Sequence, residues 1–579
     1  MDQTYRENFK STKYYFKKYT NKKYAVFCSL NRIIHISNLL AICSLIVLPF
    51  QSQAQADTSG TAKIIDLEEV EIIAETSQII SEGFSAFSTV TILGISEQSP
   101  AMHITDVLRF AGNIDVRERG KFGIQSDISI RGGSFDHSMV LLNGINLSDP
   151  QTGHFSLNLP VDKNAIKRIE ILNGTGTRIH GTNAFSGAIN FMALPEDSNS
   201  FIISGAAGQY GYFSSSATMH IGSKSFRNLI NINNASSTGF TRNTDFHRQG
   251  FFYSGRIESG KKMYYINFGY SGMAFGANGF YSPRYPDQFE QNKMYIASLG
   301  FKSDEKIAFN PQIYWRRHYD RFELFREGKN WYSIADSLTI SNDTANTTYD
   351  TIPWYTRHNH HINDIYGFQM EISGKTSFGK TTLGGHLRSE NIISNTIGYD
   401  RGIVNPVKGY EHASYHLSDN RTNFDLYLNQ TLVIDPVYVS AGILFNWNSY
   451  LPNALALLPG IDVKLRLARG FYLFGNYNYS QGLPTFTDLT YEDANNQGNN
   501  ELKPYYQHVF NTGFDFSRRE IKIKFTGFYQ KGSDVIDWVW FEEPGRFSPV
   551  NIDKSSCRGV EFSGMFDLEK IPFLGLLTD

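Results

Sequence analysis

The stretch RIEILNGTGTRIHGTNAFSGAIN, residues 168–190, decides how the chain is read. Its apolar start reads as a strand, and Gly174, Gly176, Gly181 and Gly187 follow closely. Glycine after a strand suits a phosphate-binding loop, because backbone amides must approach the anion. A Walker loop also needs a Lys after its last glycine, and Thr182 stands there. A dinucleotide loop needs a third glycine, and Ile179 takes that place. Both nucleotide readings fail at a residue the chemistry requires. What is left is a set of tight-turn glycines.

Composition narrows the class. The 579 residues carry a formal net charge of −2, so no electrostatic case exists for nucleic acid. Tyr (33) and Phe (44) far outnumber Trp (6), and Gly (49) outnumbers Pro (18). With 41% hydrophobic residues, this mixture points to long β structure that is apolar on one face only. Residues 1–36 are basic and polar, LLAICSLIVLPF (39–50) is a short apolar core, and Ala54 and Ala56 fit a small-x-small cleavage site. These features predict a signal peptide over 1–56. Past it only Cys557 remains, which excludes a disulfide framework or a multi-Cys metal site. No later run is long and apolar enough for a membrane helix. Export then leaves a soluble periplasmic or secreted protein, or an outer-membrane barrel.

Alternation favours the barrel. In YYINFGYSG (264–272), Tyr264, Ile266, Phe268 and Tyr270 share one face, and Tyr265, Asn267, Gly269 and Ser271 the other. FYLFGNYNYS (471–480), EIKIKFTGFYQ (520–530) and GVEFSGMFD (559–567) repeat the pattern. A period of two places one residue set on each sheet face, and in a membrane barrel these meet lipid and lumen. A soluble sandwich or propeller gives the same alternation; the signal peptide and the Tyr/Phe richness tip the balance. Long polar stretches, the largest from about Asp320 to Ile362, are expected as outer loops.

Residues 57–195 differ: ITDVLRFAG (104–112) reads as a short helix, and the segments IDVRE, SDISIRGG, SMVLLNGINL, KRIEIL and SGAINFMA read as small strands. SDISIRGGSFDHSMVLLNGINL (126–147) resembles the plug segment of the TonB-dependent outer-membrane receptors. The opening stretch resembles that family's Glu-x-x-x-Gly-Pro … Gly-x-x-Ala-x-Gly-Gly-x-Ile-Asn signature. QGLPTFTDL and GNNELKP (498–504) resemble later barrel motifs. The matching plug-motif residues are Arg131, Gly132, Asn143, Gly144, Glu170, Gly174, Gly181, Gly187 and Asn190. The chain departs from the pattern at Asn143 (usually Asp), Thr175 (Pro), His180 (Tyr), Ser186 (Gly) and Tyr505 (Glu).

The resemblance implies an N-terminal α+β plug domain (81–197) inside an antiparallel transmembrane β-barrel (198–579) of the 22-stranded type. It also implies an outer-membrane location, with a periplasmic segment over 57–80. Its implied partners are TonB of the inner-membrane energy-coupling complex, a small-molecule metal-chelate ligand and outer-membrane lipid. No cofactor and no enzyme activity are implied. IDLEEVEIIAE (65–75) alternates apolar and acidic residues. An extended segment of this kind can bind as an added strand, which makes Leu67, Glu68, Glu69, Val70, Glu71, Ile72 and Ile73 the candidate TonB-coupling residues. The alternative is that they form the first plug strand. The short run between cleavage site and this segment leads us to expect transport without transcriptional signalling. Arg131 and Glu170 match family positions, and both are expected to be held against the barrel wall as a buried latch.

The ligand is less legible. TRHNHHIND (356–364) clusters His358, His360 and His361, with Trp354 and Tyr355 just before. Histidines can bind metal or haem iron, or simply bond strand backbones at a loop rim. No carboxylate completes an obvious metal site in sequence, so none is assigned. Trp331, Tyr332, Trp354 and Tyr355 suit either a bulky ring ligand or the aromatic interface girdle, and the girdle is the expected role. The resemblance favours a cobalamin-type corrinoid or a ferric siderophore.

The chain ends MFDLEKIPFLGLLTD, without the alternating strand and terminal aromatic of family barrels. The last strands are therefore expected to be missing, and this chain alone is expected neither to assemble nor to transport. The alternatives from other classes are a passive outer-membrane pore or adhesin, and a secreted β-rich hydrolase. Deleting 65–75 from the complete receptor separates transporter from pore. Radiolabelled ligand uptake should fall to background in a TonB-coupled transporter and survive unchanged in a pore.

Overall fold

The computed structural model describes residues 89–93, 103–109, 114–173, 176–182, 184–335, 338–341, 351–355, 357–377, 379–451, 455–518 and 521–566. The expected signal peptide (1–56), the 57–80 segment with its candidate coupling residues 67–73, and Gly174 lie outside them.

Seven short strands make the N-terminal unit. β1 (Thr89–Leu93), β6 (Arg168–Asn173), β7 (Gly187–Met192), β4 (Ser138–Leu142) and β5 (Ile145–Asn146) form one sheet in that order. β4 runs parallel to β7 and the other pairs are antiparallel. β2 (Ile114–Arg119) and β3 (Gln125–Ile130) form a separate hairpin, and α1 (Ile104–Arg109) turns Val107 and Leu108 inward. The strands β3, β4 and β7 are buried along their whole length. A strand covered on both faces reads as a continuous apolar run, and SMVLL shows it. Full burial of side chains such as Leu142 and Phe191 stabilises by about 1.5–3 kcal/mol each. This core continues outward into Leu229, Phe252, Ile296, Tyr314 and Ile365 of the surrounding wall.

That wall is one antiparallel barrel sheet of seventeen strands among the described residues, from Ser200–Ala207 to Ser555–Phe566. The strand Tyr399–Val407 continues the line of Gly379–Ser394, since both pair with successive parts of the long strand Tyr410–Ile434. Side chains alternate as the sequence requires. In Lys262–Gly276, Tyr264 and Phe268 are exposed on the outer face, while Tyr265, Asn267 and Ser271 are buried toward the lumen. Val560 and Phe562 likewise point out, and Glu561 between them points in. One end of the barrel has short turns such as 260–261 and 435–436, and the other has the loops 324–358, 483–504 and 534–554. That asymmetry marks the outer side.

One expected boundary moves. The loop predicted over Asp320–Ile362 is shorter, because both flanking strands continue through its ends and Asp320 pairs with His361. Strands of 17 and 18 residues exceed the roughly 10 that hydrocarbon requires, so their upper turns stand above the membrane. The histidines 360 and 361 are strand residues for this reason.

The opening stretch resolves into β6, a one-turn helix α2 (Thr177–His180) and β7. Its glycines answer to space. A Cβ on Gly187 would sit 2.6 Å from the Leu172 carbonyl oxygen and 2.7 Å from Ile130 Cδ1. Gly181 has φ +83° and lies directly against the Asp425 carboxylate of the wall. The carbonyl cannot step aside without breaking the β6–β7 pairing. Gly187→Val should therefore destabilise the plug by about 1–3 kcal/mol while sparing the barrel. Limited proteolysis should cut the plug faster, with heat-modifiable migration of the barrel unchanged.

Candidate functional site

The N-terminal unit is fastened to the wall by arginines. After β3 the backbone turns through two left-handed residues, Arg131 (φ +51°) and Gly132 (φ +74°). A non-glycine residue there carries local strain. The turn aims the Arg131 side chain out of the plug. Nε and Nη2 each donate to one oxygen of Glu561 at 2.7 Å, and Nη1 donates to Asn511 Oδ1 at 2.8 Å. The guanidinium carbon lies 4.9 Å from the centre of the Phe528 ring. The fork geometry is the strongest form of such a pair. Gly132 leaves room for Cys557, whose Sγ donates to the Arg131 carbonyl at 3.5 Å.

A second pin was not legible. α2 carries Arg178 into the wall, where it pairs with Asp462; both side chains are buried. Nothing in TRIH distinguishes this arginine from a solvated one, because Asp462 is distant in sequence.

The expected latch is corrected at Glu170. This residue does not reach Arg131 or the wall. Its Oε1 accepts from Arg168 Nε at 2.8 Å and its Oε2 from Asn190 Nδ2 at 3.0 Å, inside the plug. β6 and β7 are neighbours, and Glu170 faces Asn190 across them. Asn190 Oδ1 in turn accepts from the Gly144 amide at 3.1 Å. Asn143 explains its own departure from the usual Asp. Its Nδ2 donates to the Ala193 carbonyl (2.8 Å) and to Asn267 of the wall (3.0 Å), while its Oδ1 accepts from the Ala193 amide (2.8 Å). A carboxylate would lose both donations.

The outer tip of the plug is gripped from the wall. Arg388 donates to the carbonyls of Asn146 (3.2 Å) and Ser148 (2.9 Å), and Arg316 to Ser148 (3.1 Å). Glu390 holds Arg388 and Arg421, each at 2.7 Å. Gln151 donates to Asp320 (2.8 Å) and accepts from Asn363 (2.7 Å). From above, the short helix α3 (Phe486–Thr490) sends the amides of Phe486 and Thr487 to the carbonyls of Pro150 (2.9 Å) and Gln151 (3.0 Å). The motif QGLPTFTDL is thus a contact between an outer loop and the plug tip. Burial raises the Asp488 carboxyl above its ordinary range, and Trp538 Nε1 donates to it at 2.9 Å.

Above this lies an open mouth. Trp354 and Tyr355 pack around Phe325 with Tyr332, and Trp354 remains half exposed. Trp331 is covered by Arg242 at 4.5 Å and Arg326 at 4.8 Å. Three of the four aromatics gather around Phe325 in loop 324–358, and Trp331 is held by arginines beside them, which is not a girdle. A girdle needs residues spread around the barrel, and these fold together.

The three histidines divide, with His358 and His360 together and His361 apart. His361 bonds Ser394 Oγ at 2.8 Å. His358 and His360 line a cavity of about 290 Å³ with Glu327, Tyr410, Glu411 and His412. Glu323 and Glu327 stand next to His358, so carboxylates that the linear sequence did not connect to it are present. The His358 imidazole beside it holds the Glu327 carboxyl below the usual carboxylate range.

If Arg131 fastens the plug, Arg131→Ala leaves Glu561 facing the lumen unpaired, at a cost of about 3–5 kcal/mol for a buried pair. Cells carrying it should admit bulky antibiotics that the parent excludes. Unchanged sensitivity in a strain with normal receptor level would refute the fastening role.

Comparison with known proteins agrees with this layout. The family model described as "TonB dependent receptor-like, beta-barrel" matches residues 197–578, and that described as "TonB-dependent Receptor Plug Domain" matches 80–188. The chain is 22% identical to the vitamin B12 transporter BtuB of Vibrio vulnificus (strain YJ016), over 85% of this chain and 74% of that protein. It is 20% identical to BtuB of Photobacterium profundum, over 90% and 78%. Among solved structures, the ferric enterobactin receptor PfeA of Pseudomonas aeruginosa superposes with a TM-score of 0.63 at 13% identity, covering 84% of this chain and 79% of that one. The FrpB iron transporter of Neisseria meningitidis gives 0.63 at 13% identity, over 83% and 77%.

Proposed function

The chain belongs to the TonB-dependent receptors, and from that membership we propose that it carries a metal chelate, a cobalamin-type corrinoid or a ferric siderophore, inward across the outer membrane. Family and fold support outer-membrane ligand transport and not an enzyme. The observation that carries the chelate reading is the mouth. Trp331 under two arginines, which are held in place by Asp245 and Asp287, and Tyr332, Trp354 and Tyr355 around Phe325, put aromatic rings beside oriented guanidinium groups. Such a surface suits a large conjugated or anionic chelate. The names of the relatives, vitamin B12 transporters among them, point the same way.

In this reading, cargo bound at the mouth is felt by the loop carrying α3, whose amides rest on the plug tip. Residues Leu67 to Ile73 pair with TonB as an added strand. Pulling from the periplasm then strips the plug from its wall partners, Glu561 of the Arg131 pair among them. The lumen interface is polar, so water can replace each lost bond as the plug moves.

The test is competition on the complete receptor in outer-membrane vesicles, with cyanocobalamin against ferric catecholate and ferric hydroxamate chelates. One class should displace labelled ligand saturably, and uptake of that class should stop in cells lacking TonB. If none of these chelates binds, the proposed cargo class is wrong.

A further inference from the structure

The longest outer loop begins and ends on one cluster of ligating atoms. Glu323 closes the strand Ile307–Glu323, Glu327 follows in the loop, and His358 directly precedes the strand Asn359–Thr376. One carboxylate oxygen from each Glu and one imidazole nitrogen all lie within 4.8 Å of one another. His358 Nε2 is 3.3 Å from Glu327 Oε2. In a tetrahedral zinc site with bonds of about 2.0–2.2 Å, neighbouring ligand atoms stand roughly 3.3–3.6 Å apart. The pair already has that spacing, and Glu323, whose Oε2 accepts from the Glu327 amide at 2.6 Å, stands beside it as the third ligand.

Two further features point to a ligand. His358 Nε2 meets only the Glu327 carboxylate, and His360 Nε2 has no hydrogen-bond partner among the described residues, although His360 is only 3% exposed. Leaving a buried polar atom unpaired is costly, so the His360 nitrogen calls for a partner. Both rings line the same cavity as Glu327. The other nitrogen of His358 is also fixed: Nδ1 lies 2.9 Å from the Tyr355 hydroxyl, and that oxygen accepts from the Leu324 amide at 2.9 Å. When Nδ1 carries the proton and donates it to Tyr355, Nε2 presents its lone pair to the carboxylates. Metal-bound histidines are oriented by a second hydrogen bond of this kind.

Arg321 lies 2.7 Å from Glu323 Oε1 and offsets one of the two negative charges. The remaining donor set, one imidazole nitrogen with two carboxylates, suits a borderline divalent ion better than calcium, which takes six to eight oxygens.

We propose that Glu323, Glu327 and His358 bind a divalent ion of the zinc class, with His360 at hand as a further ligand, and that the ion staples the two ends of loop 324–358. The loop base that carries the aromatic mouth is then fixed by metal. The proposal is independent of the cargo, since it uses only the bare ion.

The experiment uses the complete, untagged receptor purified in detergent, titrated with Co²⁺ and then Zn²⁺. One Co²⁺ per chain should bind with the visible absorption of a low-coordinate nitrogen and oxygen site, and Zn²⁺ should displace it. Glu327→Gln and His358→Gln should each weaken binding about tenfold or more. Heat-modifiable migration confirms that the variants fold. Zn²⁺ should also slow proteolysis within 324–358 in the parent and not in the variants, a reading that needs no variant to bind. Absence of saturable binding by the parent, or equal affinity in the folded Glu327→Gln/His358→Gln double variant, overturns the proposal and leaves an ordinary His–Glu ion pair. Failure of the chelate competition would leave this result untouched.

Discussion

A barrel wall that turns its apolar side chains to lipid has its polar ones left to turn inward, and each of those needs a partner once water is excluded. The rest of this structure follows from that constraint. Asn267 meets Asn143, Asp320 and Asn363 meet Gln151, Gln507 meets the Phe185 carbonyl at 2.6 Å, and Arg388 meets two carbonyls of the plug tip. The plug is therefore no apolar stopper. Its core is apolar and meets the wall at Phe252, Ile296 and Ile365, but hydrogen bonds and ion pairs ring that contact. An interface of that kind holds a defined position when dry and can be rewetted piece by piece, which an apolar core cannot.

Within this polar lining the charged pairs supply direction. Arg131 reaches Glu561 through a strained left-handed turn, and Arg178 reaches Asp462 through a single helical turn. Removing both partners of such a pair costs little and removing one costs much, because the penalty lies in the stranded charge. Pairs of this type are better at setting where the plug sits than at adding stability. The outer end has a different device: backbone amides of α3 rest on the plug tip, so a loop facing the outside touches the plug without an intermediary. The outer loop and the plug tip are joined directly by these two hydrogen bonds.

The sheet was legible because period-two alternation survives any tertiary arrangement. Tyr264 and Phe268 had to leave the face that Asn267 and Ser271 entered. The plug strands were legible as short apolar runs, and Gly187 as a residue needing room. The site was legible only in outline. Arg131 was singled out, yet Glu170 was placed with it against the wall when its partners are Arg168 and Asn190. Arg178 gave no signal. The histidines 358, 360 and 361 looked like one group, but residues on an extended strand diverge, and His361 turned to Ser394. Trp354 and Tyr355 were expected in a girdle, and a loop folding on itself gathered them around Phe325.

What the sequence determined by itself was local and periodic: alternating strands, a glycine-studded plug segment that lacks the residues a nucleotide loop requires, and the family motifs that place plug before barrel. Those depend on neighbours in the chain, and the chain order carries them. What the tertiary structure decided was pairing. Glu561 with Arg131, Asp462 with Arg178, and two glutamates with His358 across the ends of a long loop are encounters between distant residues. They are set by strand register and barrel curvature, which no single segment encodes.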